Sequence, residues 1–529
     1  MTHGIKQWAI PAVPAILGLL SYWANRHVMY PDGISYLEVG DAIFREGWVA
    51  AANGCWSPLL ALLAGAARAV FRPSAFGEFR FANGVNALIY LGSIIILELA
   101  IRRYWRRNSD GAILSRFQLG VFLHTVHAVA ALTLVGMNYF TPDILLIACA
   151  NLALAAIFGP AGPANAALLG LALGLGYLGK TAFLVTGGLL WISAGMIWRR
   201  RSGMPRDLLI SGTVFAAVSA LYFVPVSIQK KRFTLAENGR VNYVMHVLGV
   251  RNPAAGDPRF GPPPVPVAHI ADTPLTYELP HWTGVAYPPH YDMSRFFDGW
   301  QYSISLAGHA KAIEKSLRIY ARIPLRGPVL ALLVTFAALL VMAQRRAPSP
   351  LLWLLLPVFG SLAAFAVIHV EGPRYTAPLF VPAFFGLLAC LSAPKLELQR
   401  LSGWILTAAA AFCALVVLRA AVGSVLIRDV HPEAQFARAL AGAGAKPGDP
   451  MATIGRGLDC AWARVGDFRI AAETPDREAY RKASPEQRDE LVSRLRSRGI
   501  RAMVTRTNVA AGPGWTQVPG TGWSFRMLN

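Results

Sequence analysis

The stretch WAIPAVPAILGLLSYWANRHVMYPDGISYLEVGDAIFREGW (residues 8–48) joins an apolar run to an acidic segment. The apolar run, about residues 7–28, is long enough to cross a bilayer, because a helical span needs about 20 predominantly apolar residues. Asp32, Glu38 and Asp41 follow almost at once. A buried carboxylate is costly unless it is hydrogen-bonded or paired. We therefore expect these acids either to cap a helix or to do chemistry at the lipid boundary.

The composition of the whole chain extends this interpretation. Of its 529 residues 54% are hydrophobic and only 15% are charged, and the mean hydropathy is +0.42. Soluble domains carry about 25% charged residues. The sequence therefore predicts a polytopic α-helical membrane protein.

The strong positive charge fits the same class of protein. The formal net charge is +21, and basic clusters occupy short connectors between apolar runs: RRYWRR (102–107), RRRSGMPR (199–206) and QRR (344–346). Membrane proteins place such clusters in cytoplasmic loops. A nucleic-acid-binding protein would instead show a basic domain interleaved with aromatic residues, and the sequence has none. We expect a membrane partner and no nucleic acid.

Apolar runs bounded by charge, Pro or Gly predict about eleven spans. A cytoplasmic N-terminus puts every basic connector inside, and we expect the first run to stay as an uncleaved span. The outside then receives residues 29–81, 138–143, 179–181, 228–324, 369–375 and the tail from about 424. The predicted spans are 7–28, 82–101, 118–137, 143–159, 164–179, 181–198, 207–227, 325–343, 350–369, 376–393 and 402–423.

Two of the outer segments are long. In residues 29–81 apolar side chains recur at helical spacing, which predicts two interfacial amphipathic helices. Residues 228–324 are rich in Pro and aromatic residues and have little periodicity, a pattern typical of functional or disordered loops. The end of that segment, HAKAIEKSLRIYARIPL (309–325), predicts a further interfacial helix.

The tail changes composition at about residue 424. Residues 1–423 are predicted to form the transmembrane domain, and residues 424–529 a small periplasmic α/β domain with the order helix, strand, helix, strand. Ser484-Pro485-Glu486-Gln487 predicts a helix start, with Ser as the cap, Pro in the first turn and Gln at the third position.

The sequence predicts no metal site. The five cysteines have neither zinc-like nor paired spacing, although a disulfide between the outer residues Cys55 and Cys460 is possible. The histidines and tryptophans of residues 228–324 could bind a sugar or a metal, but packing is the more common role of such residues. We expect no certain cofactor; a divalent cation remains an alternative.

Asp32 has two interpretations that are compatible with each other. It can cap a helix, and Ser35-x-x-Glu38 has the spacing of a capping box. It can also act as a base that takes a proton from an acceptor hydroxyl at the membrane surface.

Four other outer residues suggest an anion site. Lys180 is a lone cation between two apolar runs, so it either snorkels to the interface or contacts a phosphate. Glu371 and Arg374 could form a surface ion pair, or Arg374 could grip a phosphate beside the Tyr375 hydroxyl.

Asp143 follows Thr141-Pro142, which predicts a helix start with Pro at the first position. It is also a second carboxylate on the outer side. Carboxylates and cations gathered around a membrane pocket suit an anionic, lipid-linked substrate.

These stretches resemble the GT-C superfamily of integral-membrane glycosyltransferases, and in particular bacterial relatives of protein O-mannosyltransferases and aminoarabinose transferases. The resemblance spans about residues 8–423. It rests on the Asp32 segment, WSPLL (56–60), TPD (141–143), GLGYLGK (174–180) and GPRYTAP (372–378). Many relatives have Asp-Glu in the first loop, whereas here Gly33 follows Asp32.

The resemblance implies transfer of a sugar from a polyprenyl-phosphate carrier to a lipid, glycan or protein hydroxyl, at a periplasmic site in the bacterial inner membrane. It makes Asp32 the base of a single-step inverting displacement. The residues expected to bind substrate or phosphate are Lys180, Arg374, Tyr375, Glu371, Asp143, Glu38 and Asp41.

Two other classes of protein remain as alternatives. A transporter or flippase of an amphiphile would favour internal repeats and broken helices at mid-membrane, which the sequence does not show clearly. A non-catalytic assembly protein would use Asp32 only as a helix cap and would tolerate its replacement by Asn.

Overall fold

The fold is described from a computed structural model. It describes residues 2–110, 112–250, 257, 259–260, 265, 267–345, 349–392, 396–427, 431–509 and 513–528. The chain divides into two compact units. The first comprises residues 1–26, 83–248 and 305–427, and the second comprises residues 27–82, 249–304 and 428–529.

Helices make up most of the chain. They are α1 (Thr2–Asn25), α2 (Pro31–Glu46), α3 (Pro58–Phe71), α4 (Glu78–Asn108), α5 (Arg116–Ala128), α6 (Asp143–Ile157), α7 (Pro163–Gly179), α8 (Phe183–Trp198), α9 (Met204–Lys230), α10 (Asn238–Asn242), α11 (Pro288–Tyr291), α12 (Leu306–Arg322), α13 (Gly327–Met342), α14 (Leu355–Ile368), α15 (Ala377–Leu388), α16 (Leu396–Ile427), α17 (Pro432–Gly442), α18 (Ala461–Gly466), α19 (Arg477–Lys482) and α20 (Pro485–Ser497).

In the part of the chain that the structure describes, nine strands accompany the helices. They are β1 (His269–Asp272), β2 (Leu275–Glu278), β3 (Gln344–Arg345), β4 (Leu391–Ser392), β5 (Pro450–Ile454), β6 (Arg469–Thr474), β7 (Ala502–Arg506), β8 (Thr516–Val518) and β9 (Trp523–Met527). Strands β3 and β4 form a short antiparallel pair in the first unit.

A helix occupies each of the eleven segments predicted to span the membrane. Among the described residues, five helical stretches are long and apolar enough to cross a bilayer, or six if the bent pair α12 and α13 counts as one. The other apolar helices are shorter. The helical membrane character is thus confirmed, whereas the number of eleven spans stays a prediction.

Small residues let two helices of the first unit pack closely. Gly170 and Gly174 lie one turn apart on α7 and face α9. A Cβ atom at Gly170 would lie 2.3 Å from the carbonyl oxygen of Ser211, and one at Gly174 would lie 2.5 Å from the Cβ of Val218. Close backbone approach at such pairs is a common way to associate membrane helices, because apolar burial gives little driving force in lipid.

The first loop folds into α2 and α3, which are the two helices predicted for residues 29–81. They also meet through glycine: a Cβ at Gly40 would lie 2.6 Å from the carbonyl oxygen of Ala61, and Gly65 faces the carbonyl oxygen of Gly40. This contact turns one face of α2 toward α3.

The second unit contains a mixed seven-stranded sheet, in the order β1-β2-β6-β5-β7-β9-β8. Strand β5 pairs in parallel with β6 and β7, and the remaining pairs are antiparallel. The central strands are buried along nearly their whole length, as expected for strands covered on both faces. Helix α20 supplies part of the cover through Leu491 and Leu495.

The sheet extends beyond the predicted tail. Its strands β1 and β2 come from residues 228–324, where the sequence has little periodicity. The four predicted tail elements correspond to α17, β5, α20 and β7, and the capping box at Ser484 and Gln487 forms. The tail thus shares a compact unit with residues 27–82 and 249–304. The domain boundary at 423 stays a prediction. Cys55 and Cys460 are both free thiols.

Candidate active site

Five of the eight predicted site residues meet within the first unit. We call this set, Asp143, Lys180, Glu371, Arg374 and Tyr375, the Asp143 cluster. Asp143 begins α6, Lys180 follows the last residue of α7, and the other three lie in the turn between α14 and α15. The start of α6, the end of α7 and the turn between α14 and α15 lie together, and this brings residues that are far apart in the sequence to one place.

Asp143 is the centre of this cluster. Its side chain is 1% exposed, and Lys180 Nζ donates a hydrogen bond of 2.9 Å to its Oδ1. Thr141 Oγ1 donates to Oδ2 at 2.8 Å, and Arg374 Nη1 lies 3.9 Å from the same oxygen. The predicted helix start is confirmed, with Pro142 as the cap residue itself. Lys180 forms an ion pair with Asp143, so its ammonium group is compensated without reaching the membrane–water interface.

Arg374 has a second acidic partner. Glu371 accepts a hydrogen bond from Arg374 Nη2, and the exposures of the two side chains differ greatly: 57% for Glu371 and 10% for Arg374. The ring of Tyr375 lies 4.3 Å from Lys180 Nζ, and the ring of Tyr139 lies 5.5 Å from the Arg374 guanidinium carbon. Two nearly buried cations therefore share one fixed acid, Asp143, and one of them, Arg374, also pairs with a solvent-facing acid, Glu371.

A small cavity adjoins the cluster. It has a volume of about 20 Å³. Its polar wall consists of Asp143, Lys180, Arg374 and Tyr375, and apolar side chains including Leu146 and Phe365 complete it. A space of this size holds about one water molecule.

The other three predicted residues lie on α2, in the second unit. Asp32 is the second residue of this helix, which begins at Pro31 after the cap residue Tyr30. Its side chain is 29% exposed, and its Oδ1 lies 3.4 Å from Nε2 of His290 in α11. This carboxylate thus combines access to solvent with a neighbouring imidazole.

The capping interpretation is wrong for Asp32, because Tyr30 is the cap residue of α2, and it is wrong for the spacing of Ser35 and Glu38. Both residues lie inside α2, where backbone amides already bond within the helix, so neither side chain can cap its start. Ser35 Oγ instead donates to the carbonyl oxygen of His290 at 3.2 Å. Glu38 Oε1 accepts the backbone N–H of Ala286 at 2.7 Å.

Burial sets the protonation of Glu38. Desolvation raises its pKa from 4.5 to about 8, although Arg464 and the Ala286 N–H act in the opposite direction. The side chain is 2% exposed. Glu38 is therefore largely neutral near pH 7 and acts as a buried hydrogen-bonding group.

Asp41 belongs to a network of charges. It accepts hydrogen bonds from Arg68 of α3 and, at 2.6 Å, from Arg464 Nη2 of α18. Arg464 also bonds Glu78 at 2.6 Å. These contacts tie α2, α3 and the tail into one unit. The roles of Glu38 and Asp41 in substrate binding stay predictions.

Sequence reasoning did not single out two important residues. His290 was one of several histidines in residues 228–324, with no spacing that separates it from the rest. Arg464 lies in a tail helix of six residues, too short for a periodic pattern. Only the folded arrangement brings these residues to the acids of α2.

Metal sites in proteins are built from grouped His, Cys, Asp and Glu side chains. Among the described residues, no group of three or more such side chains is arranged to hold an ion. The histidines His269, His281, His290 and His309 do not converge on one such site.

Comparison with known proteins gives similarity of fold. No family model and no curated protein sequence matches the chain. Two solved structures of ArnT from Cupriavidus metallidurans match over 99% of this chain and 98% of theirs. The apo structure has a TM-score of 0.54 at 13% identity, and the structure bound to undecaprenyl phosphate has a TM-score of 0.57 at 14% identity. The fold that this resemblance predicts is therefore confirmed: the chain has the fold of these ArnT structures.

Proposed function

We propose that this protein is a glycosyltransferase that moves a sugar from a polyprenyl-phosphate carrier to an acceptor hydroxyl. The observation that carries the proposal is the convergence of Lys180 and Arg374 on Asp143. The ArnT structure bound to undecaprenyl phosphate supports a carrier of the same chemistry.

The Asp143 cluster would bind the phosphate of the carrier. Its two cations and the buried Asp143 leave one net positive charge, which matches the single negative charge of a phosphodiester. Glu371, the exposed partner of Arg374, is the group that a phosphate would displace. Arg374 would then offer two parallel N–H donors to the phosphate, and Lys180 a point charge.

The reaction would proceed in one step. Asp32 takes the proton of the acceptor hydroxyl while that oxygen bonds to the anomeric carbon of the sugar. The bond from this carbon to the phosphate oxygen breaks, and its electron pair leaves on the phosphate. Lys180 and Arg374 stabilise the charge that grows there. Attack opposite the leaving group inverts the anomeric carbon.

The proposed setting is the periplasmic face of a bacterial inner membrane. The acceptor would be a lipid, a glycan or a protein, and a divalent cation could assist the phosphate. Asp32, at the start of α2, is exposed enough to receive an acceptor, in contrast to the buried Glu38 on the same helix.

The test compares wild type with Asp32→Asn, using Asp272→Asn as the exposed-acid control. Each protein is purified in detergent and incubated with radiolabelled polyprenyl-phosphate sugars and a membrane extract as acceptor. We expect all three to bind the carrier and only Asp32→Asn to lose turnover, to a residual rate about 100- to 10,000-fold below that of wild type.

Other outcomes would contradict specific parts of the proposal. Failure of wild type to bind or cleave any donor in the panel would overturn the glycosyltransferase function. Movement of intact donor across vesicle membranes without cleavage would favour a transporter. Equal turnover by Asp32→Asn would keep the enzyme and remove Asp32 as its base.

A further inference from the structure

His290 lies directly beside the proposed base. Its Nε2 is 3.4 Å from Asp32 Oδ1, and its side chain is 12% exposed. The Nε2 atom itself is buried, and among the described residues no group is placed to form a hydrogen bond with it in this conformation. A buried ring nitrogen usually has a hydrogen-bond partner. Oδ1 of Asp32 is close enough to His290 Nε2 to become that partner.

The backbone of His290 is fixed to the same helix that carries Asp32. Its carbonyl oxygen accepts hydrogen bonds from Ser35 Oγ at 3.2 Å and from Trp56 Nε1 at 2.9 Å. Ser35 lies one turn after Asp32 on α2. The indole of Trp56 also packs edge-on against the imidazole, with the ring centroids 5.2 Å apart. These contacts restrict where the imidazole can point.

We propose that His290 is a positioning residue for Asp32, an inference that rests on the proposed function. The imidazole donates its Nε2 proton to Oδ1 of Asp32. With one oxygen held, the carboxylate plane is fixed, and so is the direction in which Oδ2 meets the acceptor hydroxyl. Misplacement of a reacting group by about 1 Å can reduce a rate about 100-fold.

A purely structural role for His290 makes a different prediction. If the imidazole only packed against Trp56, its loss would lower stability and would lower turnover equally with or without Asp32. If it acts through Asp32, its loss matters only while the carboxylate is present. A double-mutant cycle separates these roles.

The experiment uses the full chain and a donor from the panel that wild type turns over. His290→Ala should lower kcat about 10- to 100-fold, with undecaprenyl phosphate affinity within twofold of wild type. His290→Gln, which keeps an N–H donor at similar reach, should recover part of the rate, and added imidazole should partly rescue His290→Ala. In the Asp32→Asn background, His290→Ala should have no further effect.

His281→Ala is the matched control, because His281 is an exposed histidine of the same segment. It should retain wild-type kinetics. Wild-type turnover by His290→Ala, together with loss of turnover in Asp32→Asn, would overturn the inference and leave the proposed function intact. If His290→Ala fails to fold, His290→Gln decides, and equal losses in both Asp32 backgrounds would overturn the inference. A wild type that cleaves no donor would overturn both.

Discussion

Asp143 in the first unit and Glu38 in the second are both buried carboxyl groups, yet their surroundings differ in one respect. Asp143 lies within ion-pairing distance of Lys180 and Arg374. Glu38 accepts a backbone N–H, while Arg464, the arginine that favours its charged form, is held by Asp41 and Glu78. Burial penalises the charged form of both acids in the same way. The cations next to each acid therefore decide its role.

The comparison separates a binding site from a structural group. Asp143 shares one of its two cations, Arg374, with the solvent-facing Glu371, and an anion that displaces Glu371 can use the positive charge that is left. An acid buried without a dedicated cation is neutral near pH 7 and serves as a hydrogen-bonding group. Two carboxyl groups of one chain thus take different roles from their environments.

The largest expected effect tests the pairing of Asp143. Lys180→Met should destabilise the protein by about 3 kcal/mol, because removing one partner of a buried pair leaves the other charge uncompensated. It should also weaken undecaprenyl phosphate binding at least about tenfold, or about 1.4 kcal/mol. Thermal unfolding in detergent and a carrier-binding titration measure the two effects.

A second variant sharpens this prediction. Lys180→Met with Asp143→Asn should recover stability but not carrier binding, because both charges are gone while the phosphate contact is still missing. Lys311→Met, at an exposed lysine of α12, is the control and should change neither quantity. If Lys180→Met alone were as stable as wild type, Arg374 by itself would be enough to compensate the charge of Asp143.

The next prediction concerns the geometry of Arg374. Arg374→Lys keeps the charge but loses the planar pair of donors, so carrier binding should weaken about tenfold, and Arg374→Gln should weaken it further. Binding titrations at low and high salt measure the change. Arg318→Gln, at an exposed arginine of α12, should bind like wild type. If Arg374→Lys bound the carrier as tightly as wild type, Arg374 would contribute only its charge and not a planar pair of N–H donors.

A smaller effect concerns Glu38, and it is the dependence of protein stability on pH. The pKa of Glu38 rises from 4.5 to about 8 on folding because the side chain is desolvated. Between these values the folded state holds a proton that the unfolded state releases, so stability falls as pH rises. Gln cannot ionise. Glu38→Gln should therefore match wild type near pH 4 and exceed its unfolding temperature near pH 8.

The control for the pH series is Glu46→Gln, an exposed acid at the end of the same helix. Its difference from wild type should stay constant with pH. A constant difference for Glu38→Gln as well would mean that Arg464 keeps Glu38 charged, and the contrast with Asp143 would disappear.

The smallest effect concerns the exchange of Glu371 for phosphate. Glu371→Gln removes a competing anion beside Arg374, so undecaprenyl phosphate should bind about two- to fivefold more tightly. The gain is modest because a pair with one half-exposed partner contributes about 1 kcal/mol or less. Glu314→Gln, in an exposed pair on α12, should leave affinity unchanged. Weaker binding by Glu371→Gln would mean that this acid orients Arg374.

Local patterns predicted several elements of this protein well. The helical segments follow from apolar runs, and the Ser484 capping box forms because its contacts are local to one helix start. The same reasoning failed at Ser35 and Glu38, whose spacing is that of a capping box but whose position is inside α2. Spacing alone does not say where a helix begins, and Pro31 begins this one a turn earlier.

The candidate site also has features that the sequence predicts and features that depend on the tertiary structure. The sequence by itself determined that acids and cations follow the ends of apolar runs, because charge is excluded from hydrocarbon. Only the tertiary structure decided that Lys180 and Arg374 share Asp143, that Arg464 turns to Asp41 and Glu78, and that His290 reaches Asp32. Each of these contacts joins residues of separate elements. Their partners depend on how helices pack, which no local pattern encodes.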